Sequence, residues 1–253
     1  MSRYKKIYAL ASDFDNTLFF PDISYRTNDL KAIKRFQAAG NLFGINTGRP
    51  GQNLYDFLSD DISLDFGIFT SGSLIHNKKK EILFDKLMPL ELACELKEFC
   101  EPYSVVTFVH ANEDIYQFSE YHSFATTVLS FDEIPKGSIR GISVHSKSHE
   151  IAQEMRKAVE EKFIGKASAY TNVSGNDIVC SGCSKGISLR RIPQFFKVDT
   201  LCAIGDAEND IPQLEAADIS FTFDYSRKCV QDCADYVVTS IAEAIDILLN
   251  LKD

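Results

Sequence analysis

No run of apolar residues in this 253-residue chain approaches the length a bilayer-crossing helix needs. The first residues, MSRYKKIYALASD, lack the apolar centre of a secretory signal. Positive charge is in short supply: 27 Lys and Arg stand against 36 Asp and Glu, a net charge of −9. That balance disfavours non-specific binding to nucleic acid or to an anionic membrane surface. It leaves small anionic substrates open, because one lysine or a bound cation reverses the sign locally. Cysteine occurs seven times, an odd number, with no spacing that suggests a disulfide framework. The expected setting is a reducing cytoplasm. Tryptophan is missing, so the aromatic content is 19 Phe and 10 Tyr, most of which suit a core. Repeats and low-complexity segments are not evident. What remains is an ordinary globular composition, 45% hydrophobic and 25% charged, long enough for one large domain or two modest ones.

Strand and helix signals alternate from the start. Residues 6–13 read as a buried strand. The segment TNDLKAIKRFQAAG reads as a helix, with Thr27 as its N-cap and Gly40 as its stop. LFGIN is a second short strand, broken by Gly48, and a helix around 51–59 leads to the strand FGIF at 66–69. This rhythm implies a parallel sheet covered by helices.

The rhythm changes near residue 72. SLIHNKKKEILF reads as a hairpin with its turn at Asn77–Lys80. A helix at 88–100 follows, then strands at 104–109, 114–118 and 139–145, a helix at 149–163, and strands near 167–172 and 177–180. From about 184 the first rhythm returns: a helix at 185–195, the strand DTLCAIGD, a helix, ISFTF, a helix, YVV and a last helix at 241–250. The expected fold is α/β, a Rossmann-like parallel sheet core formed by 1–79 and 181–253, interrupted by an inserted α+β domain at 80–180.

In an open parallel sheet, ligands bind beyond the carboxyl ends of the strands. Four segments deliver chemistry to that edge. SDFDNTLFF places Asp13, Asp15 and Thr17 after the first strand, and NTGR places Thr47, Gly48 and Arg49 after the second. IGDAENDI supplies Asp206, Asn209 and Asp210, and Lys185 opens a helix in GCSKGISL. Asp13, Asp206 and Asp210 offer hard oxygens that suit Mg²⁺, and three crowded acids call for a cation. Such a site draws in phosphate, to which Thr47 can donate its hydroxyl while Lys185 neutralises charge. One aspartate can attack phosphorus, and a second, two residues on, can handle the proton of the leaving oxygen. Singly each segment has a plain reading: acids at strand ends are common in turns, TGR is a turn, and GDAEND can cap a helix. Their order and shared edge carry the inference.

These four segments resemble the four motifs of the haloacid dehalogenase (HAD) superfamily of phosphohydrolases. The long insertion between the second and third resembles the type 2 cap of its Cof-like branch, phosphatases of sugar and metabolite phosphates. The resemblance implies Asp13 as nucleophile, Asp15 as general acid and base, and Thr47 with Lys185 on the phosphate. It implies Mg²⁺ held by Asp13, the backbone carbonyl of Asp15 and Asp206, with Asp210 near or in that shell and Asn209 as a phosphate or metal-shell contact. The implied activity is a Mg²⁺-dependent phosphatase of small phosphorylated metabolites working through an aspartyl-phosphate. The rival readings are a phosphomutase using the same aspartates and a non-catalytic phospho-ligand sensor. The expected partner is a small phosphorylated metabolite, with no nucleic acid or membrane, and the expected assembly is a monomer or small homo-oligomer. Two departures stand out: TSGSLI offers Ser71 and Ser73 where many relatives carry an asparagine contact, and Asp177-Ile178 occupies the place of a usual Glu-Ile pair.

Beyond the motifs, the loop NVSGNDI offers Asn172, Asn176 and Asp177 as groups suited to sugar hydroxyls, against the plain reading of a turn at Gly175. His110, His122 and His145 lie in the insertion and can face a substrate or serve the structure. Cys180 and Cys183 form a C-x-x-C without a second pair nearby, while Cys229 and Cys233 suit helix packing. NKKKE reads as a solvated hairpin tip. Phe19 and Phe20 are placed to line the entrance to the site.

Overall fold

The structure, a computed structural model, describes residues 6–112 and 114–251. Strand β1 (Tyr8–Ser12) is followed by a small hairpin, β2 (Phe19–Phe20) and β3 (Ser24–Tyr25), and by helix α1 (Thr27–Ala38). Strand β4 (Leu42–Asn46), helix α2 (Gly51–Tyr55) and strand β5 (Phe66–Phe69) follow, and a 3-10 turn leads to β6 (Leu74–Asn77) and β7 (Ile82–Asp85). The inserted block holds α3 (Leu90–Cys100), β8 (Val106–Ala111), β9 (Asp114–Gln117), β10 (Thr126–Thr127), β11 (Ile139–His145), α4 (His149–Lys162), β12 (Ala167–Asn172) and β13 (Gly175–Cys180). The chain then forms α5 (Lys185–Leu189), β14 (Thr200–Ile204), α6 (Ile211–Ala216), β15 (Ile219–Phe223), α7 (Lys228–Gln231), β16 (Tyr236–Val238) and α8 (Ile241–Asn250). No helix among the described residues is long and apolar enough to cross a membrane.

Two large sheets result, and the expected α/β class with an inserted α+β block is what forms. The first runs β16-β15-β14-β1-β4-β5-β6-β7. Its first six strands are mutually parallel, and β6 and β7 join antiparallel. The expected hairpin is therefore the edge of this sheet, and the chain leaves it after Asp85 rather than at 80. β1 lies at the centre with both faces covered, which is why Ala9, Leu10 and Ala11 are fully buried. Leu10 packs with Phe36 of α1 and Ile245 of α8 on one face; Ala9 and Ala11 pack with Leu189 of α5 and Leu214 of α6 on the other. Each large apolar side chain so enclosed contributes about 1.5–3 kcal/mol.

The second sheet runs β10-β9-β8-β11-β13-β12. Val109, Ile142 and Ile178 turn one of its faces toward Leu96 of α3 and Met155 of α4. Alternation then sends Phe108, Ser143 and Asp177, neighbours across the ladders, to the opposite face. The two units are tied by Arg140, which forks onto Asp85 at 2.8 and 2.9 Å, and by Ser73 Oγ, which donates to the Arg140 carbonyl at 3.1 Å. At the crossing, Gly72 adopts φ +95°, and a Cβ there would lie 2.2 Å from the Ser184 carbonyl oxygen, so no other residue fits.

Helix limits differ from the sequence expectation where tertiary contacts take over. Arg26, not Thr27, is the N-cap of α1, and Thr27 is already helical. The helix expected at 51–59 ends at Tyr55, where the Phe57 and Leu58 amides make tighter bonds to Leu54 and Tyr55. The helix expected at 185–195 ends at Leu189, and a separate 3-10 turn holds Pro193.

Candidate active site

Asp13 stands one residue past β1. Its amide donates to the Ile204 carbonyl at 2.9 Å, extending the ladder with β14 and fixing the side chain at the carboxyl edge of the sheet. Lys185 begins α5, whose N-cap Ser184 accepts from the Ile187 amide at 2.9 Å. Asn46 at the end of β4 donates to the Lys185 carbonyl at 2.9 Å, which locks this helix start against the sheet. Lys185 is only 2% exposed, and its ammonium donates to Asp13 Oδ1 and to Asp210 Oδ1, both at 2.7 Å.

Asp210 is fully buried, and both its oxygens are occupied. Oδ1 accepts from Lys185 and from Gln213 Nε2 at 2.8 Å, and Oδ2 accepts from the amides of Asp206 and Ala207, both at 3.0 Å. It therefore shapes the Asp206 loop and anchors the lysine. Thr17 Oγ1 donates to Asp206 Oδ1 at 2.7 Å, joining the first and last motifs.

Three acids around one lysine leave an excess of negative charge. Burial, then Asp210, raise the Asp13 carboxyl well above the usual range against the pull of Lys185. Burial and Asp210 push Asp206 up to about 7. Burial opposes the charge on Lys185, yet Asp13 and Asp210 outweigh it and hold the ammonium well above its ordinary value. Carboxylate oxygens of Asp13, Asp206 and Asp210 lie within 4.8 Å of one another. This donor set fits a hard divalent cation. Asp13 and Asp206 would hold it, since Asp210 has four donors already.

Asp15 points to another partner. Arg49 Nε and Nη each donate to its carboxylate at 2.7 Å in a two-pronged fork, and the guanidinium lies 4.9 Å from the Phe57 ring centre. Thr47 is 2% exposed, its amide held by the Ile68 carbonyl and its hydroxyl accepting from the Arg49 amide at 3.2 Å. Gly48 meets the inserted domain closely: a Cβ there would lie 2.4 Å from Asp177 Oδ2. A cavity of about 400 Å³ lies between the two units. Asp13, Asp15, Thr47, Arg49, Asp206 and Asn209 line its floor, and Phe108, His110, Phe124, Ser143, His145 and Asp177 its roof.

Among the expected loop contacts, Asp177 reaches the cavity and Asn176 does not. Asn176 faces the helical side of its sheet, donating to the Ala152 carbonyl at 2.7 Å and accepting from Thr171 Oγ1 at 2.8 Å. Period-2 alternation in β13 makes the two neighbours diverge. Asn172 does line the cavity. Ser71 Oγ donates to Asp177 Oδ2 at 3.0 Å, so this serine bridges the two units, while Ser73 serves the Arg140 carbonyl instead. Phe19 packs below the site on Phe14, 5.3 Å between ring centres, and Phe57 takes the expected place at the cavity wall. Cys180 and Cys183 are buried with thiols pushed up by burial, which disfavours thiolate chemistry. Cys229 is exposed, contrary to the packing role expected of it.

A chain of roof contacts joins three strands. Ser143 Oγ donates to Asp177 Oδ1 at 2.7 Å, so its single proton is committed, and its 3.1 Å contact with His110 Nε2 makes that nitrogen the donor. His110 Nδ1 is left a buried acceptor without a partner. Burial lowers the His110 pKa from 6.5 to about 4. A lowered histidine pKa means that the unfolded chain binds the proton first, so this residue's contribution to stability is lost as pH falls from 6.5 toward 4. His110→Gln is expected to flatten the fall in melting temperature over that window relative to wild type; identical slopes would show that His110 does not titrate there.

The family of haloacid dehalogenase-like hydrolases matches this chain over residues 10–245. The chain belongs to that family. Membership makes it an enzyme, a phosphatase of the Cof-like kind, as the four segments implied. A 5-amino-6-(5-phospho-D-ribitylamino)uracil phosphatase of Bacillus subtilis is 23% identical over 230 residues, 84% of each chain. A second B. subtilis phosphatase with the same named substrate is 21% identical, over 94% of this chain and 93% of its own. Among solved structures, a Streptococcus mutans protein superposes with a TM-score of 0.83 at 22% identity, covering 97% of this chain and 100% of its own. A HAD subclass IIB sugar phosphatase superposes with a TM-score of 0.77 at 21% identity, over 98% of this chain and 100% of its own. This HAD member thus shares its whole architecture, sheet and insertion together, with those proteins.

Proposed function

We propose that the protein hydrolyses phosphate monoesters of small metabolites, sugar phosphates and related compounds, with Mg²⁺ held by Asp13, Asp206 and the Asp15 carbonyl. The observation that carries this reading is the buried Lys185 bridging Asp13 and Asp210 beside Asp206 at the carboxyl edge of a parallel sheet. When bound, Mg²⁺ supplies charge neutralisation that lets a phosphate approach the carboxylates. Asp13 attacks phosphorus, the ester oxygen departs with a proton from Asp15, and an aspartyl-phosphate forms. Asp15 then takes a proton from the water that attacks this phosphorus, and Asp13 and inorganic phosphate are regenerated. Thr47, Gly48, Lys185 and Asn209 hold the phosphoryl oxygens. Arg49, now on Asp15, gains a second anionic partner when phosphate arrives, and releasing the fork frees Asp15 to carry its proton. The inserted domain, which begins after Asp85, covers the site and selects the leaving group. Seven unpaired cysteines support a reducing, cytoplasmic setting. The acidic balance supports a small-molecule partner for a monomer or small homo-oligomer, without nucleic acid or membrane.

Inorganic phosphate release from a panel tests this reading. The panel contains acetyl phosphate, sugar phosphates and the ribitylaminouracil phosphate named for the two relatives. Release is expected with Mg²⁺, to fall at least about 100-fold with a chelator, and to return with excess Mg²⁺. Mg²⁺ alone is expected to raise the melting temperature, by linkage worth about 2.7 kcal/mol at a hundredfold excess over Kd. Full activity after chelation would overturn the metal assignment. Transfer of phosphate within a sugar without release would instead identify a mutase built on the same two aspartates.

A further inference from the structure

The tip of the β12–β13 hairpin is built against its own sequence preference. Asn172 pairs with Gly175, so Val173 and Ser174 form a two-residue turn. Such turns need a positive φ at their first central position, which is why Gly, Asn and Asp favour it. Here that position holds Val173, at φ +51°. A β-branched side chain in left-handed backbone is strained. Packing does not offset the strain, because Val173 is 72% exposed. Asn172 and Val173 instead line the cavity, and β12 rests on the 3-10 turn Glu208–Asp210 that follows Asp206.

Side chains from both units hold that tip. His149, the first residue of α4, meets the Val173 carbonyl through Nδ1 at 2.6 Å, and since a carbonyl only accepts, Nδ1 carries the hydrogen. Two donors face the other nitrogen and make it an acceptor: Gln153 Nε2 at 2.9 Å and Arg227 Nη1 at 3.0 Å. Arg227, the N-cap of α7, donates from the same nitrogen to Glu208 Oε1. That oxygen lies 3.5 Å from His149 Nε2 and answers the arginine instead. The contact therefore runs from the strained turn, through the His149 ring, to the loop that carries Asp206 and Asn209. No step of the phosphatase reading uses His149, Arg227 or Glu208.

Their strengths decide what these bonds can do. The Arg227 side chain is 63% exposed, and an exposed ion pair adds little to global stability. A turn that is strained on its own is a different case. There a bond of the same size shifts a local equilibrium several-fold between a seated and a released tip.

We propose that His149 and Arg227 are positioning residues for the reaction: they clasp the strained Val173 turn to the Asp206 loop and so hold Asn172 and Val173 over the cavity that receives the alcohol side of the ester. The proposal rests on the phosphatase reading above and adds to it the contact that seats the hairpin.

The test uses the full chain with Mg²⁺ and compares acetyl phosphate, too short to reach the hairpin, with the best-used metabolite ester of the panel above. His149→Ala is expected to lower kcat/KM for the metabolite ester about tenfold, mainly through KM. Arg227→Ala is expected to cost about two- to fivefold, the scale of an exposed ion pair. Acetyl phosphate is expected to stay within about twofold in both variants, and the melting temperature within about 2 °C. Val173→Asn places at the tip a residue that tolerates left-handed backbone. In that background His149→Ala is expected to cost about twofold or less, because the turn no longer needs holding. Equal losses with both esters, or a His149→Ala cost that Val173→Asn leaves unchanged, would overturn the proposal. Hydrogen exchange of the backbone over 170–176 reads the turn without turnover. It is expected to quicken about tenfold in His149→Ala and to return toward wild type when Val173→Asn is added. Unchanged exchange in His149→Ala would remove the clasp and leave the phosphatase reading standing. Absence of release from every ester, acetyl phosphate included, would remove both that reading and the clasp's part in it.

Discussion

Asp13→Asn is expected to lower turnover by about 10⁴-fold or more and to stop accumulation of acid-trappable phosphate on the protein. The amide has the shape of the carboxylate but not its nucleophilicity. The physical interest lies in a second readout. Asp13 is 6% exposed and its charge is opposed by burial and by Asp210. Removing that charge relieves repulsion while Lys185 keeps its bond to Asp210, so the melting temperature without metal is expected to hold or rise. Activity and stability thus move in opposite directions, which separates loss of a nucleophile from loss of the fold. Asp15→Asn is expected to slow turnover by about 10²–10⁴-fold while substrate binding persists, because it removes proton transfer and not the attacking atom. Near-normal turnover in Asp13→Asn would mean that another group attacks phosphorus.

Lys185→Met should damage both activity and fold. It strips the one ammonium from between two carboxylates that are 8% and 0% exposed. Breaking a buried pair on one side costs about 3–5 kcal/mol. At about 2–4 °C per kcal/mol, a drop in melting temperature of roughly 10 °C is expected. The loss in kcat is expected to be about 10²–10³-fold, as for one preorganised donor. The stability loss should shrink as pH falls and in excess Mg²⁺, since either a proton or a cation relieves the crowded acids; a deficit equal at every pH would trace to packing alone. A wild-type rate would reduce SKG to the start of a helix.

Much of this was legible because the relevant signals are local. The parallel core follows from short apolar strands separated by helix-length amphipathic segments, and Asp13 and Lys185 follow from their places after a strand and at a helix start. The hairpin at 74–85 was also legible, but its allegiance was not, since it joins the first sheet through the antiparallel pairing of β6 with β5, which no local turn signal encodes. Asn176 was misjudged for a related reason. A short loop motif names its residues without stating strand phase, and β13 begins at Gly175, so alternation already governs the next two positions. The Arg49–Asp15 fork and the His110–Ser143–Asp177 chain join residues 33 positions or more apart, on or just after strands whose register no local pattern encodes. The roof rings follow the same rule: Phe108 carries strand periodicity, but the loop that brings His122 and Phe124 over it has none.

The place of β1 in the first sheet has a consequence for how the protein is made. Its amino end pairs with a segment 192 residues further on, where the Ile7 amide meets Asp199. At about 5–20 residues per second, a ribosome needs about 10–40 s to deliver that partner. Throughout that interval β1 has β4 on one side and an open edge of unpaired backbone N–H and C=O groups on the other, while the entire insertion is synthesised between them. Asp13 waits for Lys185, 172 residues further on, and longer still for Asp206. A nascent chain that stalls before β14 therefore exposes an adhesive strand and holds no assembled site, so early termination yields a client for chaperones and proteases rather than a feeble enzyme.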